Sequence, residues 1–192
     1  MRIITGLAKG MPLAAPRSGV RPTSDRTREA IFSSLGECVI GASVLDLFAG
    51  TGALGLEAAS RGAASVTFVE NARSALVCLE RNLNAFKRNR EVSCSLSVIR
   101  EDATLQLRKP SCAGDPFTLV FADPPYGEAA QELLRDERLP RLLASDGLFV
   151  LESAKRTALS VRAPWQLVRE VVYGDTRVSF LRCEPAKLTD SG

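Results

Sequence analysis

The chain contains no histidine. That removes the commonest general base at neutral pH, the familiar histidine-based triads and the imidazole ligands of most zinc sites. Cysteine is sparse, with five residues at positions 38, 78, 94, 112 and 183 and no Cys-x-x-Cys pair. An odd, scattered set argues against a disulfide framework and a thiolate metal cluster. Several of these cysteines lie in apolar runs and are predicted to be buried thiols acting as small hydrophobes. No apolar run approaches the roughly 20 residues that span a bilayer, and the N-terminus shows no signal-peptide core. The expectation is therefore a cytoplasmic protein with no metal and no membrane partner.

What is present suits one sizeable core. The chain has 192 residues, of which 45% are hydrophobic and 24% charged; a second full domain is not expected. Net charge is only +3, but it is uneven. Residues 1–36 hold Arg2, Lys9, Arg17, Arg21, Arg26 and Arg28 against Asp25 and Glu29. A basic N-terminal segment on a near-neutral body fits a polyanionic partner, or else a solvated leader.

The pattern along the chain predicts an α/β fold. Residues 1–22 are rich in Gly and Pro and read as short strands and turns. Thr23 or Ser24 is placed to cap a helix running to Leu35, with Gly36 as its stop. Its apolar residues Ala30, Ile31 and Leu35 face one side, with Arg26 and Arg28 expected elsewhere. Strand-like runs follow at Ser43–Phe48, Ser65–Glu70, Cys94–Ile99, Phe117–Ala122 and Gly147–Glu152. Helices are predicted at Ala53–Arg61, Ala72–Lys87, just after Asp102, and within Glu128–Leu143. Alternating apolar strands and helices imply a doubly wound, mostly parallel sheet covered on both faces. Gln166–Tyr173 and Arg177–Cys183 around Gly174-Asp175-Thr176 read as an antiparallel hairpin that completes seven strands. The expected organisation is a basic extension (1–36), a main domain (37–185) and a short tail (186–192).

Two motifs carry chemistry. In the first, a strand runs into Gly50-Thr51-Gly52-Ala53-Leu54-Gly55, and Glu70 ends the next strand 20 residues after Gly50. Glycine lets the backbone turn tightly and approach a ligand, while the acid suits a ribose diol; alone, this pattern also fits a dinucleotide site. Asp46 lies inside the first strand, where it could receive an ammonium group. Asp102 follows the third strand, where it could accept from an adenine amino group or simply cap a helix. Together with Asp123 these carboxylates suit a cationic sulfonium cofactor, S-adenosylmethionine (AdoMet), better than a pyrophosphate. The second motif, Asp123-Pro124-Pro125-Tyr126, closes the strand Phe117–Ala122. Pro cannot extend a sheet ladder and stiffens the residue before it. The Asp123 carboxylate, the Pro124 carbonyl and the Tyr126 ring can then face one space suited to a planar base bearing an amino group. The plain alternative is a strand ending in a proline turn.

These residues resemble the class I AdoMet-dependent methyltransferases, and Asp-Pro-Pro-Tyr resembles the branch acting on exocyclic nitrogens. With Arg21-Pro22-Thr23-Ser24-Asp25-Arg26, Asp46–Leu56, Arg61-Gly62-Ala63 and Gly174-Asp175-Thr176, the chain is similar to the bacterial small-subunit ribosomal RNA guanine-N2 methyltransferase family over residues 1–184. The resemblance implies methyl transfer from AdoMet to a guanine N2 of 16S ribosomal RNA, free or in an assembling 30S subunit, by a monomer. It implies Asp123, Pro124 and Tyr126 as catalytic residues and Asp46, Phe48, Gly50, Gly52, Glu70 and Asp102 as cofactor residues. Arg2, Lys9, Arg21, Thr23, Arg26 and Arg28 are the implied RNA contacts, with Lys87–Arg90 as a further candidate or a helix end. One departure stands out: Arg2-Ile3-Ile4-Thr5-Gly6 is kept, but Leu7–Pro12 is less basic than usual in the family and lacks an aromatic. The rival readings are a DNA adenine-N6 methyltransferase, a protein glutamine methyltransferase, a dehydrogenase, which would lack a His relay, and a non-catalytic RNA-binding protein.

Overall fold

A computed structural model describes residues 1–16, 24–89, 92–108, 116–125 and 127–184. Arg17, Arg21, Thr23, Arg90, Cys112, Tyr126 and the tail 186–192 lie outside the described residues. Seven strands form one sheet: β1 (Ser43–Leu47), β2 (Ser65–Val69), β3 (Ser95–Ile99), β4 (Phe117–Ala122), β5 (Leu143–Ala154), β6 (Trp165–Tyr173) and β7 (Thr176–Cys183). Their order is β3-β2-β1-β4-β5-β7-β6. The first five run parallel, and β7 pairs antiparallel with both β5 and β6. The helices are α1 (Asp25–Leu35), α2 (Ala53–Ser60), α3 (Arg73–Phe86), α4 (Ala103–Gln106) and α5 (Ala129–Arg135).

Period-two alternation gives the central strands two apolar faces, as a sheet covered on both sides requires. Val44, Val66, Phe68, Leu119, Phe121 and Val150 pack with Ile31 and Phe32 of α1, Leu56 of α2 and Leu79 of α3. Leu45, Leu47, Val69, Val120, Ala122, Phe149 and Leu151 form the opposite face with Leu133 and Leu134 of α5. Trp165 closes that second core, its ring 5.2 Å from Phe149 and its indole N–H donating to the Leu134 carbonyl at 3.1 Å. Among the described residues no helix is long and apolar enough to cross a membrane.

The N-terminal segment is not a free arm. Arg2 and Pro12 form an antiparallel bridge, and Ile3, Ala8 and Leu13 are buried in the first core. Burying an Ile or Leu side chain stabilises by about 1.5–3 kcal/mol. The segment's backbone is held by α2: the Ile4 and Thr5 amides donate to the Glu57 carboxylate at 2.7 and 3.0 Å, and the Leu7 amide donates to the Ser60 carbonyl at 2.8 Å. Gly6 sits at this close approach with φ +86°, and a Cβ there would lie 1.8 Å from the Ser60 carbonyl oxygen. Gly6→Ala is therefore expected to destabilise the fold by at least about 2 kcal/mol, measured by urea unfolding.

The structure corrects four expectations. Arg28 does not project toward solvent. Residues 28, 31, 32 and 35 form one helical stripe (i, i+3, i+4, i+7), and all four are buried, Arg28 completely. Its guanidinium donates to the Arg2 carbonyl and to Asp25, each at 2.7 Å, and lies 3.7 Å from the buried Glu57 carboxylate. It is thus withdrawn from RNA contact. Second, none of the four described cysteines is buried: Cys38 is exposed and Cys78, Cys94 and Cys183 are half-buried. Apolar neighbours in sequence do not bury a residue at a helix surface or strand edge. Third, β5 begins at Leu143, four residues before the expected start, after a 3-10 turn at Leu139–Leu142. A register shift against β4 between Phe117 and Leu119 accommodates this, with Gly147 packed where a Cβ would lie 2.9 Å from the Ala144 carbonyl oxygen. Fourth, Thr176 opens β7, so the hairpin turn is Gly174-Asp175 alone.

Candidate active site

Parallel β1 leads to β2 on one side and β4 on the other, so the chain order reverses between β1 and β4. Ligands of open α/β sheets bind beyond the carboxyl ends of strands at such a switch point. A cleft of ≈ 1060 Å³ opens there, lined by Asp46, Phe48, Gly50, Glu70, Asp102, Asp123 and Pro124 among others. The register explains the convergence. Val69, Leu47, Ala122 and Leu151 stand side by side across β2, β1, β4 and β5. The next residue on each strand is Glu70, Phe48, Asp123 or Glu152, and all four line the cleft.

The loop after β1 is built for close approach. Phe48 has φ +58°, which a non-glycine residue rarely adopts, and Gly50 and Gly52 are also left-handed at +57° and +78°. A Cβ at Gly50 would meet only the Phe48 carbonyl at 3.9 Å, leaving the backbone open to a ligand. Gly52, expected as a cofactor residue, is not in the cleft lining, and a Cβ there would lie 2.4 Å from the Leu79 side chain; Gly55 likewise serves packing. A Cβ there would strike Phe68 at 2.4 Å, so this glycine lets α2 lie close against β2.

Each of three carboxylates is held by named donors. Asp46 is 2% exposed and accepts the Gly55 amide at 2.9 Å. Burial is the main reason its carboxyl is raised to about 7; the Gly55 N–H pulls it down, and the charges of Asp123 and Glu70 push it up. Glu70 accepts the Gly50 amide at 2.7 Å with one oxygen, and the Asn71 and Ala72 amides at 2.9 and 2.7 Å with the other. It stiffens the glycine loop as well as facing the cleft. Asp102 caps α4, accepting the Thr104 and Leu105 amides at 2.9 and 3.3 Å, and also takes the Asn71 side-chain amide at 3.1 Å. The Thr104 hydroxyl bond, the Leu105 and Thr104 backbone amides and the charge of Arg108 hold its carboxyl below the usual carboxylate range, against the opposing effect of burial. Both readings of Asp102, helix cap and cleft acid, therefore coexist.

The remaining expectations divide. Ser24, Arg26 and Thr27 line the cleft, with Ser24 also the N-cap of α1. Arg2 and Lys9 are exposed on the N-terminal segment, away from the cleft lining. Lys87 and Arg88 follow α3, while Asn89 donates to the Leu7 carbonyl at 2.8 Å, again tying down that segment. Sequence reasoning passed over Asn71, Glu152, Ser153 and Tyr173, all in the cleft wall. Glu152 carried a signal: it follows an apolar strand run, as Glu70 and Asp123 do. Tyr173 enters only because the β6–β7 hairpin folds its tip beside β5. Among the described residues no group of three or more Cys, Asp or Glu is arranged to hold a metal.

The acidic cleft, its open glycine loop and the buried Asp46 fit a cationic amino-acid-bearing sulfonium, and among the described residues Arg26 is the only basic side chain in the lining. The strand order, the loop after β1 and the Asp-Pro-Pro turn after β4 are those of a class I AdoMet-dependent methyltransferase. The family described as "Conserved hypothetical protein 95" matches residues 1–182. The chain is 39% identical to "Ribosomal RNA small subunit methyltransferase D" of Escherichia coli K12, over all of this chain and 94% of the relative. It is 35% identical to the protein of that name from Haemophilus influenzae, over 91% of this chain and 89% of the relative. A solved structure with the description "Putative methyltransferase yhhF from Escherichia coli" superposes with a TM-score of 0.77 at 35% identity, covering 96% of this chain and 98% of that one. An rRNA methyltransferase of Streptomyces viridochromogenes, at 18% identity and a TM-score of 0.72, shares the fold over 93% of this chain and 92% of its own. The chain belongs to the Conserved hypothetical protein 95 family, that of the small-subunit ribosomal RNA methyltransferases D.

Proposed function

We propose that this protein transfers a methyl group from AdoMet to the exocyclic N2 of a guanine in 16S ribosomal RNA. The observation carrying this reading is the meeting of Asp123 and Pro124 with Asp46, Glu70 and the glycine loop in one cleft. AdoMet, when bound, supplies an electrophilic methyl group on a positively charged sulfur. Gly50 and Phe48 offer it an open stretch of backbone, Asp46 suits its ammonium, Glu70 its ribose hydroxyls and Asp102 its adenine amino group.

The guanine amino lone pair is delocalised into the ring and is a weak nucleophile. Asp123 and the Pro124 carbonyl each accept one N2 hydrogen. Those two bonds favour a pyramidal nitrogen, direct its lone pair and stabilise positive charge as it grows there. The proton becomes acidic once the new N–C bond forms, so a strong base is unnecessary; Asp123 or water takes it. Tyr126, next in the motif, is assigned the stacking of the extruded base. Arg26, exposed beside the cleft, is assigned a backbone phosphate, and the substrate is the RNA alone or within the 30S subunit.

Asp46 makes cofactor binding pH-dependent. Its folded pKa lies above the unfolded value, so the cofactor-free fold loses stability as pH rises from about 4 toward 7. The ammonium of AdoMet favours the carboxylate form. AdoMet affinity is therefore expected to rise with pH through about 7, with proton release, in calorimetry run in two buffers of different ionisation enthalpy. Asp46→Asn is expected to abolish the proton release.

The test of the reaction is transfer of labelled methyl to 30S subunits lacking the mark, naked 16S RNA and unmethylated DNA, followed by nucleoside analysis. Label in N2-methylguanosine of RNA is the expected result. Label in N6-methyladenine of DNA overturns the assignment.

A further inference from the structure

Guanine and adenine both present an amino group, so Asp123 and Pro124 cannot separate them. The difference lies at the adjoining ring nitrogen. N1 of guanine bears a hydrogen next to the N2 amino group, whereas N1 of adenine is a bare acceptor. A cleft that selects guanine needs an acceptor beside Asp123.

Glu152 occupies that place. Ala122 and Leu151 are paired across β4 and β5, so Asp123 and Glu152 follow at the same level on neighbouring strands, about 4.8 Å apart in the pairing direction. Strand alternation carries Glu152 to the face of Val150 and Asp123 to the face of Phe121, and both of those belong to the same core. Glu152 is 4% exposed and lines the cleft, so it can meet a ligand in a site that excludes most water. Ser153, next on the strand, also lines the cleft; its hydroxyl is buried and finds no hydrogen-bond partner among the described residues.

We propose that Glu152 accepts the N1–H of the target guanine while Asp123 and Pro124 hold its N2 hydrogens, and that this contact selects guanine. An adenine-type edge turned the same way sets a ring nitrogen lone pair against the carboxylate and is rejected. The proposal rests on the guanine-N2 reading of the cleft and adds its specificity determinant.

The test uses the full-length enzyme and 30S subunits reconstituted with 16S RNA carrying guanosine or 2-aminopurine riboside at the methylated position. 2-Aminopurine keeps the 2-amino group, but its N1 is an acceptor. The wild type is expected to prefer guanine by roughly ten- to a hundredfold in kcat/KM. In Glu152→Gln, whose amide can donate to a bare N1, guanine methylation falls, 2-aminopurine methylation rises, and the ratio drops to within about threefold of unity. Calorimetric AdoMet binding confirms that the variant is folded. A merely structural Glu152 lowers both rates together and leaves the ratio unchanged, which overturns the proposal. A wild type that treats the two bases alike overturns it without any variant. If guanine-bearing subunits accept no methyl from the wild type, the functional reading fails and this inference falls with it.

Discussion

Asp123→Ala is expected to lower methyl transfer by about 10²–10³-fold in kcat while changing AdoMet affinity little. The side chain stands half-buried at the mouth of β4, followed by the buried Pro124 and the exposed Pro125. The glycine loop is organised by Glu70 and Asp46, which bond Gly50 and Gly55, so the loss of Asp123 leaves that loop intact. On the proposed mechanism, what disappears is the charged acceptor for a hydrogen of the target amino group. The two prolines keep the Pro124 carbonyl in position, which is why a residual rate is expected. Removing Asp123 also removes one of the charges that raise Asp46, so the pH midpoint for AdoMet binding is expected to fall slightly. Single-turnover kinetics with calorimetry separate the two effects. A variant that turns over normally removes Asp123 from the chemistry; one that loses AdoMet binding makes it a cofactor residue.

Arg28→Ala is expected to reduce stability, with RNA affinity per folded molecule little changed. Removing one partner of a buried ion pair costs about 3–5 kcal/mol, because the other charge is left in a low-dielectric interior. Glu57 keeps Arg61 at 2.8 Å and two backbone amides, so a value near the lower end is expected. For a chain of this size, about 3 kcal/mol corresponds to a fall of roughly 6–12 °C in Tm. Thermal unfolding with and without AdoMet measures it. Arg26, two residues earlier and exposed at the cleft, is expected to behave in the opposite way. Arg26→Ala leaves Tm nearly unchanged but weakens RNA binding and lowers the slope of log affinity against log salt by about 1. Equal stability losses in both variants would refute the division of labour between them.

Arg28 and Arg26 also mark how far sequence reading reaches. The helix was legible from Ser24, the apolar spacing and Gly36, and Arg28 lies on the same stripe as Ile31, Phe32 and Leu35. Its charge concealed its place, because a buried arginine is recognisable only when its partners are known. Asp25 is a local partner, but the two that hold it in the interior, Glu57 and the Arg2 carbonyl, lie 29 and 26 residues away and meet it only once α2 and the N-terminal segment dock. The cysteines failed for the same reason: an apolar local run does not state which strand edge or helix flank meets solvent. Glu152 shows the complementary case. The residue type and its strand end were visible, but its adjacency to Asp123 comes from β5 pairing directly with β4.

The sequence by itself determined the alternation of strands and helices, the glycine loop after β1, the stiff Asp-Pro-Pro turn and the family to which they belong. These are local: each depends on side-chain periodicity or on the backbone limits of Gly and Pro within a few residues. The tertiary structure alone decided which charges face the cleft and which are held in the interior. It aligned Glu70, Phe48, Asp123 and Glu152 at one level and turned Arg28 inward. Strand order and register bring residues far apart in the chain side by side, and a charged side chain's role is fixed by the partners it finds there.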